Sequence, residues 1–137
     1  MSKPVYRSRN GAPVRAISLP IALVCAVAVL LPYSVRLDAG EQLPDALYGF
    51  GLWVVAFAAL LARWRLGLGL LPAALAAGAG VPLAVLCKLA WDVAGDPTSH
   101  NLWPFELAIA VVVGAVPALL GALAGWGLSV LLPAAKS

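Results

Sequence analysis

The polar residues that could carry chemistry are concentrated in residues 92–106, with one lysine just before that stretch. Together they supply carboxylates, an imidazole, an amide, an indole and an ammonium group: Lys88, Asp92, Asp96, His100, Asn101, Trp103 and Glu106. One histidine with two carboxylates could bind a divalent metal or act as a general acid/base pair. The spacing of Asp96, His100 and Glu106 matches no strong motif such as HExxH, however, and the chain contains a single histidine.

The same stretch also has a purely structural interpretation. Gly95 can end a helix, Asp96 can cap a turn, and Pro104 suits the first position of a following helix. Glu106 would then complement the positive end of that helix's dipole. We therefore predict a capped, folded loop, with a ligand-binding surface and a metal or catalytic site as the alternatives. We assign no catalytic residue, metal ligand or cofactor.

The elements that position this loop follow from composition. The chain has 137 residues, of which 63% are hydrophobic and 11% are charged, whereas soluble domains are about half apolar and about a quarter charged. This composition excludes a soluble enzyme, a nucleic-acid-binding domain and a disulfide-rich secreted module. Cys25 and Cys87 are isolated, with no CxxC motif, so they indicate neither a zinc site nor a redox motif.

Four apolar runs have the length of membrane-spanning helices and carry no charge in their central thirds. We predict an all-α polytopic membrane protein, a compact bundle of four transmembrane helices with short loops. Pro72, Pro82 and Pro117 should kink the last two spans. The predicted organisation is a basic tail at 1–15, a transmembrane domain at 16–133 with spans at 16–33, 46–62, 66–91 and 104–132, and a short tail at 134–137.

The N-terminal pattern of basic residues before an apolar run also fits a signal peptide. The run ends in Leu-Pro-Tyr-Ser-Val-Arg, which offers no convincing small-x-small cleavage site. We therefore predict an uncleaved first span and keep cleavage as the alternative.

Charge placement predicts the orientation of the chain. With the N-terminus in the cytoplasm, seven of the nine basic residues lie inside and Arg36 and Lys88 are the exceptions, while all six acids lie outside. Lys88 can extend to the outer interface or pair with Asp92 at i,i+4. Both termini are predicted to be cytoplasmic, and the Ala-, Gly- and Leu-rich composition suggests a bacterial inner membrane.

Aromatic residues fall near the predicted ends of the spans, as amphipathic rings prefer. Trp53 is the exception, because it lies inside the second span, where we expect it to pack against a neighbour. The outer interface should contain Tyr33, Tyr48, Trp91 and Trp103, and the inner one Trp64 and Trp126.

Small residues recur at helical spacing in the last two spans, and helices in lipid associate through such residues. We predict that they pack these helices within the bundle, with a homo-oligomer interface as the alternative. The helix-packing candidates are Gly78, Gly80, Gly114, Ala118, Gly121 and Gly125.

An ionisable residue in the middle of a span would suggest coupling or catalysis. Because the central parts of these spans have none, we predict a non-enzymatic accessory, assembly or regulatory component of the membrane. Its expected partners are the lipid bilayer and either another membrane protein or a second copy, and no nucleic acid. An oligomeric small transporter or channel is the alternative, followed by a membrane-embedded enzyme that uses the outer Asp/His/Glu loop.

Overall fold

The computed structural model describes residues 11–42, 45–98 and 101–132, and these residues form helices without any strand. The helices are α1 (Gly11–Asp38), α2 (Phe50–Trp64), α3 (Leu70–Gly78), α4 (Gly80–Gly95) and α5 (Trp103–Leu131), with a 3-10 turn at Asp45–Leu47 before α2. The all-helical prediction is confirmed for this part of the chain. Three segments are long and apolar enough to cross a membrane: α1, the consecutive pair α3–α4, and α5.

Helix α1 overlaps the predicted N-terminal tail. Helix α1 already begins at Gly11, so the last part of the predicted 1–15 tail is helical. The rest of that tail, and the predicted tail at 134–137, lie outside the described residues.

Helix α2 is shorter than the sequence predicted. It has 15 residues and starts at Phe50 rather than Ala46, which gives about 22 Å of helix against the roughly 30 Å of a bilayer core. The apolar residues Ala46 and Leu47 lie instead in the 3-10 turn, where both are buried against α1. Helix α2 alone is therefore too short to cross a bilayer.

The third apolar run is interrupted at Ala79, between α3 and α4. Pro82 has no N–H to donate to the carbonyl of Gly78, four residues earlier, and its ring crowds that carbonyl. Ala79 keeps right-handed helical angles, so α4 continues from α3 without a turn. Pro72 lies in the first turn of α3, where a missing donor costs little, so the expected kink there is absent. Helix α5 runs through Pro117 without interruption.

The helices form one bundle in which α2 packs most extensively against α5, followed by α1 against α4 and α3 against α5. The core consists mainly of small residues, and no charged side chain is buried among the described residues. Large leucine, valine and aromatic side chains lie on the outer surface instead. This inside-out distribution suits a bundle surrounded by lipid, where close packing of small residues holds the helices together.

Glycines set the closest approaches between helices. A Cβ added at Gly121 would overlap the carbonyl oxygen of Ala56, and one at Gly125 would lie 2.5 Å from that of Leu60. At Gly114 the added Cβ would lie 2.9 Å from the carbonyl oxygen of Gly78. The Gly78 carbonyl is the one that Pro82 leaves without a helical partner. Repeated approach of a glycine Cα to a carbonyl oxygen is the geometry of weak Cα–H···O contacts.

Candidate functional site

The antiparallel course of the helices separates the charges to the two ends of the bundle. We call one the basic end, which holds Arg15, Arg63 and Arg65 in the described residues. The opposite, acidic end holds Arg36 and Lys88 together with all six acids of the chain: Asp38, Glu41, Asp45, Asp92, Asp96 and Glu106.

Lys88 is a largely enclosed charged group at the acidic end. Its Nζ lies 3.0 Å from Oδ1 of Asp92, one turn along α4, and 3.0 Å from Oδ1 of Asp38 at the end of α1. The Lys88 side chain is 12% exposed, whereas the Asp38 side chain is 71% exposed. The Lys88–Asp38 pair therefore connects α1 to α4, whereas the Lys88–Asp92 pair lies within α4. Sequence reasoning missed Asp38, because it lies fifty positions from Lys88 and no local spacing relates them.

The end of α1 is fixed by backbone and side-chain bonds. Gly40 adopts φ +91 and donates its N–H to the Leu37 carbonyl, while the Glu41 N–H bonds to the Arg36 carbonyl at 3.0 Å. This pattern is a Schellman motif, which requires the left-handed conformation that glycine adopts easily. Arg36 Nε lies 2.8 Å from Glu41 Oε2, and its Nη1 donates to the carbonyl of Tyr48. Arg36 thus anchors the segment that leads into α2.

The side chain of Tyr33, which the sequence predicts at the outer interface, is buried inside the bundle. It is 2% exposed, and the carboxylates of Glu106 and Asp92 interact electrostatically with its phenol. Glu106 lies in the first turn of α5, so the carboxylates that act on Tyr33 come from both α4 and α5. The interior position follows from the length of α1, which extends five residues beyond Tyr33.

The loop after α4 contains a capped turn. Helix α4 ends at Gly95, and Asp96 Oδ1 accepts hydrogen bonds from the Thr98 N–H at 3.0 Å and from the Thr98 hydroxyl at 2.7 Å. These two donors favour the ionised carboxylate and hold the pKa of Asp96 below its usual range. Helix α5 begins at Trp103, so Pro104 occupies its second position rather than its first.

The structure describes six of the seven residues singled out in the sequence. Lys88 and Asp92 are ion-paired, Glu106 lies near Tyr33, and Asp96 is in the exposed turn. Asn101 and Trp103 are exposed at the start of α5, and His100 lies outside the described residues. Within residues 11–42, 45–98 and 101–132, no three His, Cys, Asp or Glu side chains are grouped closely enough to hold a metal. A site that uses His100 stays a prediction.

Exposed aromatic side chains surround the acidic end. Trp53, expected to pack against a neighbour, is 68% exposed. Because α2 starts at Phe50, Trp53 lies in the first turn of the helix, close to this end. The arrangement matches the aromatic belt of a membrane interface. Its members are Tyr48, Phe50, Trp53, Trp91, Trp103 and Phe105.

A groove runs between α2 and α5, which we call the α2–α5 groove. Its volume is about 540 Å³. Trp53 and Phe57 are exposed along it, and its lining also includes small residues of both helices, among them Ala56, Gly121 and Ala124. The full lining is Tyr48, Gly49, Leu52, Trp53, Ala56, Phe57, Leu60, Pro117, Leu120, Gly121 and Ala124.

Comparison of the chain with protein-family models, with curated proteins and with solved structures found no match. Functional inference therefore depends on the geometry of the bundle itself.

Proposed function

We propose that this chain is a non-enzymatic integral membrane protein that acts as an accessory, assembly or regulatory component by binding another membrane protein. The observation that carries the proposal is the α2–α5 groove, whose shape and side chains suit a transmembrane helix of a partner.

Two features of the groove support this role. Small residues such as Ala56, Gly121 and Ala124 allow a second helix to approach closely. The exposed rings of Trp53 and Phe57 offer large, rigid contact surfaces of the kind enriched in protein interfaces.

The length of α2 supports the same conclusion. A helix of about 22 Å does not match a hydrocarbon core of about 30 Å, and one response to such mismatch is association with another helix. The groove lies along this short helix, so a partner placed there would cover the part of the bundle that fits the bilayer least well.

The acidic end supports a binding role over a chemical one. Lys88 is held between two carboxylates and Arg36 between Glu41 and the Tyr48 carbonyl. Groups engaged in this way order the loops of that end and present them as a defined surface.

The proposed location is a bacterial inner membrane with the basic end in the cytoplasm. Arg15, Arg63 and Arg65 lie at that end, and the sequence adds Lys3, Arg7 and Arg9 before α1. This distribution is the one that the positive-inside rule describes.

Photo-crosslinking in intact membranes tests the groove. A photoreactive phenylalanine analogue at Phe57 should give one discrete protein adduct. The same analogue at Val27, an equally exposed position of α1 outside the groove, should label lipid alone. Ala124→Leu, which narrows the groove, should abolish the Phe57 adduct.

Equal adducts from Phe57 and Val27 would contradict the groove as the binding surface. An adduct with the mass of two chains would show that the groove binds a second copy of this chain and not a different membrane protein.

A further inference from the structure

A second crevice, between α1 and α3–α4, differs from the α2–α5 groove because a charged side chain opens onto it. We call it the α1–α3 crevice. Its volume is about 620 Å³, within the roughly 300–1,000 Å³ of small-molecule pockets. Its lining is Arg15, Ser18, Leu19, Ala22, Pro72, Leu75, Ala76, Ala79 and Leu83.

The crevice has an apolar channel for most of its length. Leu19 and Leu75 are exposed along its sides, at 63% and 62%, while Ala22 and Ala76 are buried beneath them. Ala79, where α3 gives way to α4, lies farther along. Small buried residues between large exposed ones leave a narrow apolar cleft, which suits a flexible hydrocarbon chain.

The length and direction of the crevice match one leaflet of a bilayer. It runs from Pro72 near the basic end to Leu83, eleven residues later, or about 16 Å along the helix axis. Half of a bilayer's hydrocarbon core is about 15 Å thick. The crevice therefore extends from one membrane surface to about the middle of the bilayer.

Arg15 supplies a positive charge at the surface end of the crevice. Its guanidinium has no carboxylate partner among the described residues, all of whose acids lie at the opposite end of the bundle. Ser18, one turn farther along α1, donates its hydroxyl to the Arg15 carbonyl at 3.1 Å, so the guanidinium is the free polar group here. An exposed arginine above an apolar cleft is complementary to a phosphate joined to an acyl chain.

Three other crevices formed by the described residues lack this combination. Those on the α2–α5, α3/α4–α5 and α1–α2 surfaces are lined by uncharged residues. The charge at the mouth thus distinguishes the α1–α3 crevice from a simple irregularity of the lipid-facing surface.

We propose that the α1–α3 crevice binds an anionic phospholipid, with one acyl chain in the apolar cleft and the phosphate held by Arg15. The proposal requires the basic end to lie at a membrane surface, but it does not depend on the partner bound at the α2–α5 groove. The lipid would fill the space beside the α3–α4 break and fix α1 against it.

Native mass spectrometry of the whole chain, purified in detergent and supplied with defined lipids, tests this site. The probes are phosphatidylglycerol, phosphatidylcholine of the same chain length, and glycerol phosphate. Phosphatidylglycerol should bind as one retained lipid per chain. Arg15→Gln should weaken that binding by about fivefold, the loss expected for one basic residue at a lipid surface.

Arg65→Gln is the matched control, because Arg65 lies at the same end but outside the crevice lining. It should leave phosphatidylglycerol binding within about twofold of the original, well short of the fivefold change that one surface charge provides. Ala79→Leu should reduce the retention of both phospholipids by filling the cleft, and glycerol phosphate should not compete.

Three results would overturn the proposal. Equal losses in Arg15→Gln and Arg65→Gln would show general attraction to a basic surface. Equal binding of phosphatidylcholine and phosphatidylglycerol would remove the role of Arg15, and displacement by glycerol phosphate would show an anion site without an acyl chain. None of these results bears on the crosslink at Phe57, so the two proposals fail separately.

Discussion

At the scale of single residues, the acidic end shows how burial changes the value of an ion pair. Exposed pairs contribute little because water and salt screen them, whereas loss of one member of an enclosed pair leaves a poorly solvated charge. Lys88 has a partner of each kind, since the Asp92 side chain is 24% exposed and Asp38 is largely exposed. The two pairs should therefore differ in energy.

Lys88→Met should destabilise the bundle by about 1–2 kcal/mol, between the values for exposed and buried pairs. Asp92→Asn should lower the free energy of unfolding more than Asp38→Asn does. Lys88→Arg should retain most of that free energy because it keeps the charge. Unfolding in mixed detergent micelles measures all four variants. An Asp38→Asn effect equal to that of Asp92→Asn would show that burial does not decide the strength of these pairs.

The turn at Asp96 should respond to acid. The pKa of Asp96 is lowered in the folded chain by the Thr98 N–H and hydroxyl. The contribution of the Asp96 carboxylate to the free energy of unfolding is therefore fully present above the usual carboxyl pKa of about 3.9. This contribution is lost as the pH falls through the lower pKa that Asp96 has in the folded chain.

Carbon NMR of labelled aspartate should place the pKa of Asp96 below that usual value. Thr98→Val removes the hydroxyl donor and should raise this pKa part of the way, because the backbone N–H remains. Thr98→Ser keeps both donors and should leave the pKa lowered. A pKa unchanged by Thr98→Val would assign the whole effect to the backbone bond.

At the scale of elements, glycine positions decide which helices can meet. Gly121 faces the backbone of α2, which cannot move aside as a flexible side chain can. Gly127 lies on the same helix two turns farther on and has open space where a Cβ would be. These two positions form a matched pair for testing the packing.

Gly121→Ala should destabilise the bundle by about 2 kcal/mol, as overpacking against a rigid backbone does. Gly127→Ala should be neutral or stabilise by up to about 1 kcal/mol, because alanine is the better helix former. Thermal unfolding monitored by tryptophan fluorescence distinguishes the two variants. Equal stability of both would mean that α5 does not approach α2 as closely as the structure places it.

At the scale of the whole molecule, the separation of charges gives the bundle a direction. Its acidic end has an aromatic belt and its basic end three arginines among the described residues. From this distribution the positive-inside rule predicts that the basic end lies in the cytoplasm.

Cysteine labelling in intact cells tests this orientation. With Cys87 replaced by serine and Cys25 buried, a cysteine at Ala39 should react with a membrane-impermeant maleimide added outside. A cysteine at Leu66 should react after the membrane is permeabilised, because it lies at the basic end. The reverse pattern would place the acidic end in the cytoplasm.

The sequence by itself determined the helical class, the apolar segments and the scarcity of charge, because these depend on composition and on residues close together in the chain. It also predicted that Gly95 ends a helix and that Asp96 caps a turn, since both effects are local. The break at Ala79 was also accessible, because Pro82 acts locally, but the late start of α2 was not, because it depends on how α1 buries Ala46 and Leu47.

Tertiary structure alone decided which distant groups meet. It paired Lys88 with Asp38, buried Tyr33 inside the bundle, exposed Trp53, and opened a crevice below Arg15. Each of these outcomes depends on the rotation and depth of one helix relative to another. The spacing of residues along the chain carries little information about this rotation and depth, because glycine contacts between helices set them.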